Sequence, residues 1–350
     1  MQIAVDAMGG DHAPQSAVAG ALRAASEGVR IVLVGDRSRI EPELERLGRS
    51  RSLGSDARGR IAIEHTTEFV AMEEKAVAVR QKRDASVRVC ARLVKQGRAQ
   101  AVVTAGHTGA AMIAAKTVIG AIPGVDRPAL AVILPNRKGR TVVLDVGANV
   151  DARAAHLRQF AVMGHSYAQY VFATASPRVG LMSVGVEEGK GSKFTREAFN
   201  VLQNTGLNFV GNVEGRDVYS GAVDVIVCDG FVGNVMLKSS EALAGFLGSL
   251  IREAMGRTWR SRLGYWLAKN ALGEIRQRTH WSETGAVPLL GVRGGFFIGH
   301  GRSTARAIKN AIHRAVEFCE ADLHNKIHDK VAELHAQEEQ LLGQEKACSD

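Results

Sequence analysis

The sequence predicts a three-layer α/β protein, in which helices cover both faces of a mostly parallel, doubly wound sheet. Three observations support this class. Short apolar runs alternate with helical patterns along most of the 350 residues. The runs are continuously apolar rather than alternating, which is typical of strands that are covered on both faces. The 38 glycines favour many tight turns between strands and helices.

Nine apolar runs are predicted strands. Right-handed crossovers between parallel strands would place their carboxyl ends, and the loops that follow, along one edge of the sheet. The runs are Ile3–Val5, Ile31–Val34, Ile61–Glu64, Ala101–Val103, Ala131–Leu134, Thr141–Leu144, Val179–Leu181, Phe209–Val210 and Asp224–Val227. The intervening helices are predicted at Gln15–Ser26, Arg39–Leu47, Glu73–Gly97, Thr108–Ile119, Asp151–Ala173 and Phe194–Asn204. This alternation predicts one α/β domain over residues 1–335.

The carboxyl-terminal part of the chain is less regular. Residues 237–281 break the alternation and predict a protruding amphipathic helical hairpin. Its apolar residues from Leu243 to Met255 recur at helical spacing, so this stripe is expected to pack inward or on a partner chain. A last helix is predicted from about Ser303 to His335, and residues 336–350 form a polar tail.

The second half of the predicted hairpin is basic and aromatic. From Ile251 to His280, seven Lys or Arg stand against two Glu, which accounts for +5 of the net charge of +9. Aromatic side chains favour the bilayer interface, and basic ones favour anionic head groups. The sequence therefore predicts a face that contacts an anionic membrane; a dimer interface or a buried hairpin is the alternative. This face, at i, i+4, i+7, i+8 spacing, comprises Trp259, Leu263, Trp266 and Leu267.

Several classes of protein are excluded or disfavoured. The four cysteines form no CxxC pair, so neither a disulfide framework nor a zinc cluster is expected, and a reducing, cytoplasmic compartment is favoured. The opening MQIAVDAMGG lacks a signal-peptide pattern, and no apolar run is long enough to span a bilayer. No GxxxxGK[ST], GxGxxG, GxSxG or HExxH pattern occurs. Chemistry without a nicotinamide cofactor, a covalent nucleophile or a metal is therefore expected.

Glycine-rich polar turns follow several of the predicted strands. Glycine lets backbone N–H groups approach a bound anion, and helix N-termini favour negative charge. The turns span Asp6–Pro14, Thr104–Ala110, Asp145–Asp151, Ser183–Lys193, Cys228–Lys238 and Pro288–Ser303. Several such turns on one edge would form an anion-binding cleft.

These loops, taken together, resemble those of the PlsX-type phosphate acyltransferases. The matching stretches are DAMGGDHAP, DRPALA, LDVGANVD, HLRQFAVMG, PRVGLMSVGVEEGKG, FVGNVEGRDV, DVIVCDGFVGNVMLK and HGRS, in family order over residues 1 to about 315. The resemblance implies a sheet like that of the isocitrate and isopropylmalate dehydrogenases. It implies transfer of a long-chain fatty acyl group from acyl carrier protein to inorganic phosphate. The acyl-phosphate would then acylate glycerol 3-phosphate in phospholipid synthesis.

The resemblance also implies partners and site residues. It implies a homodimer at the inner face of the cell membrane, with no cofactor and no nucleic acid. Lys190, in EEGKG, matches the family's catalytic lysine and would bind phosphate and stabilise developing charge. Asn234, in DGFVGN, matches a catalytic asparagine whose amide would donate to the oxyanion. Further residues expected to line the phosphate pocket are Asp11, His12, His107, Thr108, Arg127 and Asn149.

Several of these residues also have a purely structural interpretation, and His12 could merely brace its turn. Lys190 could be a solvated loop lysine, Asn234 could cap a helix, and Arg127 could form a structural ion pair. His107 departs from the family pattern, because AGHTGA stands where the family has AGNTGA. The basic residues of the hairpin could dock the acidic carrier protein instead of lipid.

Three other functions stay open on the sequence alone. A phosphotransacetylase acting on acyl-coenzyme A would differ in its preference for acyl chain length. A dehydrogenase of the isocitrate type would bind a nicotinamide cofactor. A basic nucleic-acid-binding protein would carry its charge as a stripe with exposed aromatic residues. Over half of the positive excess lies beside tryptophans in the predicted hairpin, which favours a membrane over nucleic acid.

Overall fold

A single sheet organises the computed structural model, which describes residues 1–48, 55–273 and 285–347. Within these residues the strands are β1 (Gln2–Asp6), β2 (Arg30–Gly35), β3 (Ile61–His65), β4 (Ala101–Thr104), β5 (Ala129–Asn136), β6 (Gly139–Leu144), β7 (Val179–Met182), β8 (Phe209–Val213), β9 (Val225–Val227), β10 (Val287–Leu290) and β11 (Gly295–Ile298). They pair in the order β3-β2-β1-β4-β11-β10-β5-β6-β9-β7-β8. All nine predicted strands are therefore present.

Helices connect most of the strands. They are α1 (Gln15–Ser26), α2 (Arg37–Gly48), α3 (Ser55–Gly59), α4 (Ala78–Gln81), α5 (Ser86–Lys95), α6 (Thr108–Ala114), α7 (Ala154–Tyr170), α8 (Lys193–Gln203), α9 (Gly230–Gly256), α10 (Trp259–Leu267), α11 (Ala305–Glu320) and α12 (Leu323–Ala347). A π-helical turn, Ala115–Ile119, continues α6, and a 3₁₀ turn spans Gly215–Tyr219.

The sheet consists of two parallel blocks that run in opposite directions. Strands β3, β2, β1, β4 and β11 are parallel to one another, and so are β6, β9, β7 and β8. Between the blocks, β10 and β5 are each antiparallel to both of their neighbours. The prediction of one common edge for all carboxyl ends is therefore wrong, because each block has a carboxyl edge of its own.

Two central strands were missed by the sequence analysis. The stretch Pro288–Ser303, predicted as a glycine-rich turn, contains most of β10 and all of β11. Each strand is only four residues long, and Pro288 lies within β10, where proline normally argues against a strand. Both strands nevertheless have a paired neighbour on each side, because β11 lies between β4 and β10, and β10 lies between β11 and β5.

Two helices predicted as continuous are broken. The segment Glu73–Gly97 forms α4 and α5, and the Lys82 ammonium beside the break binds the Glu74 carboxylate at 2.7 Å. The segment Ser303–His335 forms α11 and α12, with Asp322 at φ 48° between them. Helix α12 continues through the predicted polar tail to Ala347, and residues 348–350 lie outside the described residues.

Apolar side chains on the two faces of the sheet form two separate cores. Ile3 and Val5 of β1 pack into the core under α1, α7 and α11, whereas Ala4 packs into the core under α5 and α6. Period-two alternation along a strand produces this division. At Gly20, α1 approaches α11 so closely that an added Cβ would lie 2.5 Å from the Ile308 Cβ. Helices therefore cover both faces.

The predicted hairpin region forms α9 and α10, which contact each other; residues 274–281 of that prediction lie outside the described residues. The apolar stripe of α9 does not pack inward, as Phe246 (57% exposed) shows. Trp259 and Trp266 of α10 are 71% and 69% exposed. In the parts of the chain that the structure describes, no helix has the length and apolarity needed to cross a bilayer.

Candidate active site

A buried carboxylate organises the carboxyl edge of the second block. Asp145 follows β6 directly and is fully buried. Its Oδ1 accepts hydrogen bonds from the backbone N–H groups of Leu130 (2.9 Å) and Ala148 (3.1 Å). Its Oδ2 accepts from Asn149, through the backbone N–H (2.5 Å) and the Nδ2 amide (3.0 Å). Burial raises the pKa of Asp145, and these donors oppose the rise.

Asn149 was predicted to line the phosphate pocket, and the structure places its amide against the Asp145 carboxylate. Besides Asp145, its Nδ2 donates to the Pro128 carbonyl at 2.9 Å. The side chain is buried and joins the loop after β6 to the start of β5. A role in phosphate binding stays a prediction, but its visible task is to hold these two segments together.

The amino terminus of α9 packs directly on the loop after β6. The Gly230 N–H donates to the Asn149 carbonyl at 2.8 Å. At Gly233 the contact is so close that an added Cβ would lie 1.9 Å from the Asp145 carbonyl oxygen. Glycine is therefore required here by the close approach of two backbones.

Asn234 lies one residue further along α9 and faces the same loop. An added Cβ on Gly147 would lie 3.7 Å from its side chain, so the Asn234 amide stands beside the glycine of the LDVGAN stretch. The alternative that Asn234 caps the helix is wrong. The cap is Asp229, whose Oδ1 accepts from the N–H groups of Phe231 (2.9 Å) and Val232 (3.0 Å). The Asn234 side chain is exposed and not used for capping.

Lys190 lies in the loop that follows β7, and β7 is the neighbour of β9 in the sheet. Its ammonium pairs with the Glu187 carboxylate at 3.1 Å, and its side chain is 54% exposed. Asn212 of the neighbouring strand β8 donates to the Glu187 carbonyl at 2.9 Å and holds the loop at this edge. A backbone hydrogen bond, together with Lys190, lowers the pKa of Glu187. The lysine is therefore solvated and available to an anion that displaces Glu187.

Arg127 precedes the first residues of β5, which lie against Asp145 because β5 and β6 are antiparallel. Asp126 approaches Arg153 at 3.9 Å, whereas Arg127 forms no ion pair with any residue that the structure describes. Burial, followed by the charges of Arg153 and Arg127, lowers the pKa of His156. Arg127 thus adds an unpaired positive charge to this edge.

The other four predicted residues lie at the carboxyl edge of the first block. Asp11 follows β1, and its backbone N–H donates to the Gly301 carbonyl at 2.8 Å. His12 and Thr108 are exposed. Beneath them, the buried Asp6 carboxylate accepts from the Thr104 hydroxyl at 2.8 Å, and burial raises the pKa of Asp6. A small cavity here is lined by Asp6, Gly9, Val70, Ser86, Val87, Thr104, Gly106, His107 and Ala110.

His107 acts as the cap of α6. Its Nδ1 accepts a hydrogen bond from the Ala110 N–H at 3.4 Å. The asparagine that the family pattern has at this position is itself a preferred N-cap, so the imidazole preserves the local structure.

We expect His107→Asn to leave the free energy of unfolding nearly unchanged, and His107→Ala to lower it by about 1 kcal/mol. Denaturant titration of the three proteins measures this. Equal stability of the alanine variant and the parent would show that the cap contributes nothing.

The predicted residues thus fall into two groups. Asn234, Asn149 and Arg127 surround the Asp145 loop, with Lys190 in the loop of a strand two positions away. Asp11, His12, His107 and Thr108 belong to the other block. The sequence analysis did not select Asp145 or Asp6 as site residues. Both are acidic residues at the end of a buried apolar run, and that pattern is the signal that could have identified them.

The buried His165 should make the stability of the fold depend on pH. Burial, with a smaller effect of Lys330, lowers the pKa of His165 from its ordinary value of 6.5. The unfolded chain therefore binds this proton first, so stability is full above 6.5 and is lost as the pH falls below it. We expect the free energy of unfolding to fall from about pH 7.5 to about pH 5.5, less steeply in His165→Gln. Identical slopes for both proteins would contradict this.

Comparison with solved structures defines the class of the fold. A phosphotransacetylase from Streptococcus pyogenes superposes with a TM-score of 0.58 at 20% identity, covering 91% of this chain and 94% of that one. A branched-chain phosphotransacylase from Enterococcus faecalis gives a TM-score of 0.52 at 13% identity, covering 90% and 98%. At such identities the likeness concerns the fold alone, and the fold is that of the phosphotransacetylases.

Sequence comparison defines the family. The family model described as "Fatty acid synthesis protein" matches residues 1–326. A phosphate acyltransferase from Pelotomaculum thermopropionicum is 48% identical over 336 residues, covering 95% of this chain and 96% of the relative. One from Thermus thermophilus is 47% identical over 336 residues, covering 96% and 100%. The chain belongs to the phosphate acyltransferase family, and the resemblance inferred from its loops is confirmed.

Proposed function

We propose that this enzyme transfers a long-chain acyl group from the thioester of acyl carrier protein to inorganic phosphate, giving an acyl-phosphate for phospholipid synthesis. The observation that carries the proposal is the family match over nearly the whole chain, together with Asn234 beside the glycine of the Asp145 loop. Acyl transfer to phosphate follows from membership of the family. The acyl carrier donor and the chain length are the further steps.

The reaction needs no covalent enzyme intermediate. A phosphate oxygen attacks the thioester carbonyl carbon, and the carbonyl oxygen becomes an oxyanion. Collapse of this tetrahedral species breaks the carbon–sulfur bond, and the leaving thiolate takes a proton to become the free thiol. Catalysis then consists of holding phosphate against the carbonyl and stabilising the oxyanion with fixed donors.

Two side chains supply these requirements. Lys190 exchanges its Glu187 partner for phosphate, since both are oxyanions and the lysine is exposed. The Asn234 Nδ2 donates to the thioester oxyanion. Its position is fixed because Gly233, the preceding residue of α9, packs closely against Asp145. Arg127 adds a positive charge that attracts the phosphate dianion. The fixed backbone matters because donors that need no rearrangement stabilise the transition state most strongly.

The donor can be tested by comparing thioesters. We expect phosphate-dependent release of free thiol from palmitoyl-acyl carrier protein, with acyl-phosphate as co-product, and much slower release from palmitoyl-coenzyme A. Faster turnover of short-chain coenzyme A thioesters would instead assign the phosphotransacetylase activity to this chain.

We further propose a homodimer that associates with an anionic membrane surface. The exposed apolar stripe of α9 supports a partner chain, because soluble folds rarely leave such a surface uncovered. On α10, Trp259, Leu263, Trp266 and Leu267 are all exposed within one helix, and Arg260 stacks on the Trp259 ring at 5.4 Å. An aromatic and basic face of this kind suits the interface of a bilayer.

Tryptophan fluorescence tests the membrane proposal. Vesicles of phosphatidylglycerol should shift the emission of Trp259 and Trp266 to the blue, and high salt should reverse part of the shift. Neutral phosphatidylcholine vesicles are the control. An emission spectrum that phosphatidylglycerol vesicles do not alter would contradict the proposed membrane association.

A further inference from the structure

A second strongly basic region lies far from α10 in the sequence. Residues 73–98 form α4 and α5 with their flanks, and they hold eight Lys or Arg against Glu73, Glu74 and Asp84. The segment thus carries a net charge of +5. Its cations, here called the α4–α5 basic surface, are Lys75, Arg80, Lys82, Arg83, Arg88, Arg92, Lys95 and Arg98.

The nearby acidic residues neutralise only part of this surface. Lys82 pairs with Glu74 at 2.7 Å, and Arg92 pairs with Asp84 at 3.1 Å. Arg98 pairs with Glu64 of β3 at 2.8 Å. Four exposed cations have no ion pair with any residue in the described part of the chain; they are Lys75, Arg80, Arg83 and Lys95.

The apolar residues distinguish this surface from α10. Across residues 73–98, Val77 is the one large apolar side chain that is clearly exposed. Helix α10, by contrast, exposes two tryptophans and two leucines within nine residues. Lasting attachment to a bilayer needs apolar insertion as well as charge. A surface that offers charge without insertion fits an acidic protein instead.

The α4–α5 basic surface borders one of the glycine-rich loops. Helix α4 contacts α6, and an added Cβ on Gly109 would lie 2.8 Å from the Ala76 Cβ. This contact joins the surface to the loop Thr104–Ala110, in which His107 and Thr108 are predicted to line the phosphate pocket. A protein docked on the surface would thus lie beside that loop.

We propose that the α4–α5 basic surface docks the acidic carrier protein that delivers the donor thioester, while α10 serves lipid. The identity of the cargo rests on the proposed function. The docking itself rests on the unpaired charges, on the exposure of a single large apolar side chain, Val77, across residues 73–98 and on the contact with the glycine-rich loop.

The test measures binding of palmitoylated acyl carrier protein to the full chain. We expect the double variant Arg80→Glu/Arg83→Glu to bind the carrier more weakly, with a dissociation constant raised about tenfold or more at low salt. Binding of phosphatidylglycerol vesicles should be unchanged. The matched control Arg260→Glu/Arg262→Glu makes the same change of charge on α10. It should weaken vesicle binding and leave carrier binding unchanged.

Two results would overturn the proposal. One is that the carrier still binds the Arg80→Glu/Arg83→Glu variant but does not bind the Arg260→Glu/Arg262→Glu variant. The other is that the Arg80→Glu/Arg83→Glu variant no longer binds vesicles. Turnover is recorded separately with the acyl thioester of pantetheine, a donor without carrier protein. Carrier binding that follows the prediction, with no phosphate-dependent release of thiol from any donor, would uphold the docking surface and refute the proposed reaction.

Discussion

Replacement of Lys190 by alanine is expected to lower kcat by about 100- to 1000-fold, which is the typical effect of losing one charge-stabilising donor. Lys190 is exposed in the loop after β7, and Glu187 is its one ion-pair partner within the described part of the chain, so its removal should leave the fold intact. The measurement is phosphate-dependent release of thiol at saturating donor, with circular dichroism to confirm folding.

Lys193 provides the matched control for Lys190. It lies three residues further along the same segment, its side chain is 87% exposed, and its nearest acidic partner is Glu197 at 3.8 Å. Lys193→Ala removes the same charge and should leave kcat nearly unchanged. Turnover that is undiminished in Lys190→Ala, or equally diminished in both variants, would show that Lys190 has no specific part in the reaction.

Gly233→Ala is expected to damage both stability and activity. The new Cβ would lie 1.9 Å from the Asp145 carbonyl oxygen and 2.9 Å from its carbonyl carbon, and neither backbone atom can move freely. Helix α9 must therefore shift away from the loop. We expect the free energy of unfolding to fall by about 3 kcal/mol, the upper range for overpacking. A displacement of Asn234 by about 1 Å would lower kcat by roughly 100-fold.

Gly245 is the matched control for this substitution. It lies within the same helix, and an added Cβ there would meet no atom within 4 Å. Gly245→Ala should raise the free energy of unfolding by about 0.5–1 kcal/mol, because alanine favours the helix more than glycine does. Normal activity and stability in Gly233→Ala would mean that α9 does not depend on close contact with Asp145.

Local patterns predicted most of the elements but not the direction of the sheet. Continuous apolar runs such as Ile31–Val34 identified nine strands, since burial on both faces leaves a clear signal. The reversal between blocks depends on β10 and β5, which are each antiparallel to both neighbours. Strand β10 has only four residues and gains its stability from pairing at the centre of the sheet. Such tertiary pairing has no counterpart in local sequence, so the single edge was predicted wrongly.

The candidate site shows the same division. Motifs predicted Lys190 and Asn234 as site residues, because each lies in a glycine-rich stretch that matches the family. The buried network of Asp145 combines a local donor, Asn149, with the Leu130 N–H, which only the antiparallel pairing of β5 and β6 brings to the carboxylate. Whether the apolar stripe of α9 packs inward or on a partner chain was open for a related reason. The sequence shows that a face is apolar but not what covers it.

The measurement that tests the central claim most directly is the fate of labelled inorganic phosphate. The enzyme is incubated with palmitoyl-acyl carrier protein and radiolabelled phosphate, and the acyl product is isolated and treated with hydroxylamine. We expect one labelled acyl-phosphate for each thiol released, and we expect hydroxylamine to free the label. Release of thiol that yields unlabelled fatty acid, or that proceeds equally without phosphate, would contradict the claim that phosphate is the nucleophile.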